Sequence, residues 1–159
     1  MYERIFVAID DDIERGKPII RKAIDLAYPG KAHIVIGHAI DSTALEVAGV
    51  YPDDFVKNAE REFRDGIADV IEEGIASEMT GGINVVVKYG RVRETLLEDM
   101  IEPYDPDLVI CGARGLSPFR YALLGSVSTF LVRAVKCDVL VMKEEDTLQP
   151  AGSAETDGK

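Results

Sequence analysis

The sequence predicts an open, parallel α/β sheet with helices on both faces, and three observations carry that expectation. Five apolar runs of five or six residues occur along the chain, four of them nearly continuous in Val, Ile and Leu. That is the pattern of strands covered on both sides. The segments between them space their apolar residues at helical intervals, so the order reads βαβαβαβαβ, with crossovers long enough for parallel strands. Finally, 159 residues make one domain, which typically takes about 100–200.

The first run is 4–9 (RIFVAI), stopped by Asp10, Asp11 and Asp12. Pro18 suits the first turn of a helix, and Ile19, Ile20, Ala23, Ile24 and Ala27 follow on one face before Pro29 and Gly30 end it. The second run is 33–38 (HIVIGH). Residues 41–54, with Gly49 and Pro52, read as a loop with helix in part. A long helix then carries Phe55, Ala59, Phe63, Ile67, Val70 and Met79 up to the stop at Gly81 and Gly82. The third run is 83–88 (INVVVK), followed by a helix with Leu96, Leu97, Met100 and Ile101 before Pro103. The fourth run is 107–111 (DLVIC), and a last helix holds Val127, Phe130, Leu131, Ala134 and Val135. The fifth run is 138–142 (DVLVM). Residues 144–159 have no apolar periodicity and read as a disordered tail. The domain is therefore expected to span 1–143, with no internal repeat.

Composition narrows the function classes. Eighteen Lys and Arg against 29 Asp and Glu leave a net charge of −11 and a pI near 4.6. Such a surface repels phosphate backbones and anionic lipid, so neither nucleic acid nor a membrane is an expected partner. The same acidity fits a surface adapted to high salt or, more simply, solubility through net charge. Two cysteines, Cys111 and Cys137, are too few for a disulfide framework or a metal cluster and read as buried thiols in a reducing cytoplasm. No apolar run reaches the ~18 residues of a membrane span, and the opening residues lack the pattern of a signal peptide. A cytoplasmic location is expected.

In an open α/β sheet, ligands bind beyond the carboxyl ends of the strands, where the strand order reverses. The first strand is followed by three aspartates and no glycine, which excludes a G-x-G-x-x-G dinucleotide turn. A Walker phosphate loop and a G-x-S-x-G nucleophile elbow are absent from the sequence. After the fourth strand the chain reads Gly112-Ala113-Arg114-Gly115, then nine residues, then Gly125-Ser126-Val127-Ser128. Glycines at a strand end let backbone N–H groups approach an anion. A helix opening at Ser126 adds free N–H groups and a positive dipole end. Ser126 as an N-cap would account for the serine alone, but not for two glycine clusters and Arg114 in one excursion. Residues 108–137 form the longest stretch without an acid, and they hold Arg114, Arg120, Arg133 and Lys136. That gap in the acidity favours one small anion.

Gly112-x2-Gly115-x9-Gly125-Ser126 matches, at every defined position, the G-2x-G-9x-G-[ST] motif of the universal stress protein family, which the chain resembles along about 140 residues. The opening strand ending at Asp10, the His38-Ala39-Ile40-Asp41 run, Gly90 before a helix and the run into Gly115 are similar too. The resemblance implies a Rossmann-like sheet of the adenine-nucleotide α-hydrolase kind, with order 3-2-1-4-5. It also implies an ATP site, with AMP or ADP as alternatives and Mg²⁺ only together with the nucleotide. By that resemblance Ala8 and Asp10 lie by adenine and ribose, Ala39 lines the adenine pocket, Cys111 belongs to the nucleotide site, and Gly112, Arg114 and Gly115 border ribose and phosphates. Gly125, Ser126, Val127 and Ser128 hold the phosphates.

Departures are Ala8 where many members have proline, Asp11 and Asp12 where small residues are common, and Asp138 in place of a frequent proline. The extra acids are expected to weaken ATP binding or to favour a less charged nucleotide. His33 and His38 read as structural, and no group stands out to activate water. A nucleotide-binding sensor or regulator of stress response with slow or no hydrolysis is the expectation, against a slow ATPase or a scaffold without nucleotide. The apolar Val139, Leu140, Val141 and Met142 form an edge that invites pairing. The resemblance implies a homodimer through it.

Overall fold

The strands assemble as their apolar continuity demands, in the middle of the molecule. The computed structural model describes residues 1–49, 53–113 and 125–143. Strands β1 (Arg4–Ala8), β2 (His33–Asp41), β3 (Gly82–Gly90), β4 (Leu108–Gly112) and β5 (Asp138–Met142) form one sheet in the order β3-β2-β1-β4-β5. Every neighbouring pair is parallel. The expected order therefore stands, with its reversal between β1 and β4. Register sets Ala8 beside Gly37 on β2 and beside Cys111 on β4.

Alternation along the strands sends successive side chains to opposite faces. Ile5, Val7, Ile34 and Ile36 meet α1 (Ile13–Ala27) and, beyond α2 (Thr43–Ala48), α3 (Asp53–Ala76), through Ile20, Ala23, Phe63, Ile67 and Val70. On the other face Phe6, Ala8, Val35, Ala39, Val109 and Cys111 meet α4 (92–104) and α5 (Ser126–Ala134), through Leu96, Met100 and Leu131. Helix α4 is three consecutive segments: α-helical Val92–Glu94, π-helical Thr95–Ile101 and α-helical Glu102–Tyr104. The wide turn shows in the Glu102 N–H, which donates to the carbonyl of Leu97. Pro103 has no N–H to return to the preceding turn, and Lys88 Nζ donates to the Asp99 carbonyl there at 3.0 Å.

Three details differ from the sequence reading. Helix α1 starts at Ile13, not at Pro18, because Asp12 caps it, its Oδ1 accepting the Arg15 N–H at 3.2 Å. Pro18 sits in the second turn. Strands β2 and β3 each run nine residues, three more than the apolar runs suggest, pairing as far as Asp41 with Gly90. Gly90 lies at φ 152, and a Cβ there would stand 2.5 Å from Thr95 Oγ1, so the turn from β3 into α4 needs a glycine.

Across the covered face, Lys17 Nζ bridges Glu14 and Asp69 at 3.2 and 3.0 Å, tying α1 to α3. The same contact raises the Lys17 ammonium and, with the Val70 N–H, holds the Asp69 carboxyl low. At the amino ends of the strands, the Asp107 carboxylate accepts the N–H groups of Glu3 and Arg4, and Tyr104 donates its hydroxyl to the His33 carbonyl at 2.9 Å. Burial pushes that phenol up to about 12.

Candidate functional site

The carboxyl ends of β2, β1 and β4 lie side by side at the reversal of strand order, the place where an open α/β sheet leaves a crevice. Ala8, Ala39 and Cys111 are the buried residues nearest those ends on the α4–α5 face. All three side chains are small. Deeper on the same face the strands carry the larger Phe6, Val35 and Val109. Burial pushes the Cys111 thiol up to about 11, so it stays protonated and serves as apolar surface. Cys137 is also a free thiol.

Beyond β1 the chain turns through the three aspartates. Asp10 is exposed, and its Oδ1 accepts the Asp12 N–H at 2.8 Å, an Asx turn that aims the segment into α1. Gly37 accepts the Ile9 N–H at 3.0 Å, and Ile9 in turn accepts from His38. His38 is buried among these groups and stacks on Phe63 with ring centroids 4.3 Å apart and 9° between planes. The reading of His38 as structural is consistent with this packing. The network it forms with the acidic turn was not visible in the sequence, because Phe63 and Ile9 come from distant elements.

Gly112 closes β4, and Ala113 N–H donates to the Met142 carbonyl at 2.8 Å. Arg114 and Gly115 lie outside the described residues, as do Arg120 and the 144–159 segment. The chain is described again at Gly125, which, rather than Ser126, is the N-cap of α5, at φ −58 and ψ 164. A glycine offers no side chain to the first N–H groups of the helix, those of Ser126, Val127 and Ser128. The Gly125 carbonyl is occupied, accepting the Thr129 N–H and the Ser128 hydroxyl, each at 3.0 Å. Ser128 is buried and spends its hydroxyl on that contact, whereas Ser126 is exposed and Val127 half-buried. From Ser126 an open groove of ≈ 440 Å³ runs along α5, lined by Arg93, Thr129, Phe130, Arg133 and Ala134. The Arg93 guanidinium lies over the Phe130 ring, 5.6 Å from its centroid. Arg93 escaped the sequence reading, because its approach to Phe130 depends on how α4 packs beside α5.

Among the described residues no group of three or more His, Cys, Asp or Glu is placed to hold a metal ion. No helix there is long and apolar enough to cross a membrane. Small buried side chains at the strand ends, the acidic turn after β1 and the first turn of α5, with no side-chain cap among the described residues, are the features the reversal offers.

The model of the universal stress protein family matches residues 1–143. The chain belongs to that family. A universal stress protein homologue from Staphylococcus saprophyticus is 27% identical over 145 residues, covering 91% of this chain and 86% of the relative. The universal stress protein UspA of Lactobacillus plantarum shares the fold with a TM-score of 0.72 at 22% identity, covering 89% of this chain and 97% of its own. The universal stress protein of Archaeoglobus fulgidus in complex with dAMP gives a TM-score of 0.59 at 20% identity, covering 89% and 98%. Other structures in the family have cAMP or, in Arabidopsis thaliana, AMP bound.

Proposed function

We propose that this universal stress protein binds an adenine nucleotide and acts as a regulator or sensor in stress response, with slow or no hydrolysis. The observation that carries this reading is that Ala8, Ala39 and Cys111, at the strand-order reversal, share one core face with Val127 in the first turn of α5, whose N-cap Gly125 has no side-chain cap hydrogen bond among the described residues. Family structures with dAMP, cAMP and AMP support it.

In this reading Ala8 and Ala39 take the adenine ring, with Cys111 beneath it. The Asp10 carboxylate accepts a ribose hydroxyl. Gly112, Arg114 and Gly115 border the ribose and phosphates, and the N–H groups of Ser126, Val127 and Ser128, entered past Gly125, hold the phosphates. Ser126 adds its hydroxyl; Ser128 adds only its N–H, since its hydroxyl already donates to Gly125. ATP is the expected ligand from the motif, with Mg²⁺ arriving alongside it to offset triphosphate charge. The Asp10–Asp11–Asp12 rim favours the less charged AMP or ADP over ATP. The domain spans 1–143, with 144–159 as an acidic appendage, and two copies pair through β5 in a cytoplasmic homodimer.

Calorimetric titration with AMP, and with ATP with and without Mg²⁺, tests this. Saturable heat is expected, and Ser126→Ala should weaken binding about 3- to 10-fold, the worth of one hydrogen bond. No heat with any of these nucleotides leaves the scaffold reading in its place. Phosphate release at ordinary enzyme rates that Ser126→Ala abolishes would make the protein an ATPase.

A further inference from the structure

His38 is 5% exposed and is held from three sides. Its Nδ1 lies 2.9 Å from the Ile9 carbonyl, its ring stacks on Phe63 of α3, and its Nε2 lies 3.6 Å from Asp11 Oδ1. A carbonyl can only accept, so Nδ1 carries the proton of that hydrogen bond. In a neutral ring Nε2 is then a lone pair facing a carboxylate, two acceptors with nothing between them to share. A second proton turns the same contact into an ion pair. The Asp11 side chain is 83% exposed, so it can swing toward or away from the ring as the charge changes, whereas the ring is fixed by burial.

We propose that His38 is a proton-sensitive positioning residue: its imidazolium form pairs with Asp11 on the rim of the candidate site, offsets one of the three rim carboxylates and strengthens binding of a negatively charged nucleotide. This rests on the nucleotide reading above. Gain or loss of that second proton on the imidazole is what couples the pair to pH. As pH falls, the pair forms; as pH rises, Asp11 is released and its full charge faces the ligand.

Among the described residues, other charged groups on the elements around His38 have contacts of their own. On the turn, Asp10 accepts the Asp12 N–H, and Asp12 pairs with Arg15 Nε at 3.1 Å. On α3, Arg64 is engaged by Glu60 and by the Val85 carbonyl, both on the β3 side, and Glu62 is exposed. The β3 residue in register with His38 is Val87. On the next β3 residue, the Lys88 ammonium reaches across to Asp99 of α4. Among the described residues, Asp11 is the carboxylate seen against the ring.

The chain has two histidines, so imidazole NMR of the nucleotide-free protein resolves His38 from His33, which serves as internal reference. Asp11→Asn should lower the His38 titration midpoint by roughly 0.2–0.7 pH unit, the range an exposed ion pair gives, and leave His33 in place. An unchanged His38 midpoint overturns the couple. AMP affinity is then measured for wild type and Asp11→Asn; taking their ratio cancels the titration of AMP itself. The variant should bind about two- to fivefold more tightly at pH 8, and the two should converge toward pH 5.5. A ratio that is constant with pH overturns the link to binding while the nucleotide reading stands. If AMP binds neither protein at any pH, the nucleotide reading fails and takes the link with it, and the NMR measurement still decides the couple. His38→Asn, whose amide can keep the donor to Ile9, should retain AMP binding, and in that background the affinity ratio between Asp11 and Asp11→Asn should no longer change with pH.

Discussion

At Gly37 the sheet and α4 approach each other through the ring of Phe6. A Cβ there would overlap Phe6 Cζ and come within 3.0 Å of Met100 Sδ. Phe6 is fully buried and Met100 is 4% exposed, so neither has room to retreat. Gly37→Ala should therefore destabilise the protein by about 1–3 kcal/mol, the usual consequence of overpacking a filled core, measured by urea unfolding. A neutral result would mean that the Phe6 ring can turn aside. The position matters to the site because Gly37 is in register with Ala8 and its carbonyl holds the Ile9 N–H. A ring displaced here moves the floor on which the adenine is proposed to lie.

Among the elements, α1 shows best what could and could not be read in advance. Its apolar face, Ile19 to Ala27, was legible from spacing alone, and so were all five strands, because burial on both faces forces continuous apolar runs. Its start was not. Asp12 is one of three adjacent aspartates, and only the turn that Asp10 makes with the Asp12 N–H shows which of them caps the helix. The π-helical segment of α4 was also hidden, since Pro103 marked a helix end in the sequence while Lys88, on another element, supplies the donor that lets the chain continue. The glycine motif was legible as spacing, but its division of labour was not: Gly125 caps, Ser126 faces solvent and Ser128 turns inward. For the cap itself, Asp12→Ala should cost about 0.5–2 kcal/mol, and Asp12→Asn less, because the amide oxygen still accepts the Arg15 N–H. Thermal unfolding of the two variants side by side checks this; equal losses would assign the effect to the Arg15 ion pair instead.

At the scale of the whole molecule, the two edges of the sheet differ in how they are guarded. On β3 the Arg64 guanidinium donates to the Val85 carbonyl at 3.1 Å, satisfying a group that a new strand would seek. On β5, residues Val139 to Met142 are half-buried, with side chains packed into both cores. An apolar edge of that kind favours pairing with another strand, and the proposed homodimer supplies one. Light scattering at micromolar concentration should give twice the 17.4 kDa of one chain. Val141→Lys, which sets a charge within the paired edge, should return the mass to that of one chain with an unchanged circular dichroism spectrum. Each chain carries −11, so two copies repel at long range. Salt at 0.1 M already screens charges beyond about 10 Å; raising KCl further should therefore increase the dimer fraction at fixed protein concentration. A monomeric mass at every salt concentration would remove β5 as the interface, and with it this account of an apolar edge on so acidic a protein.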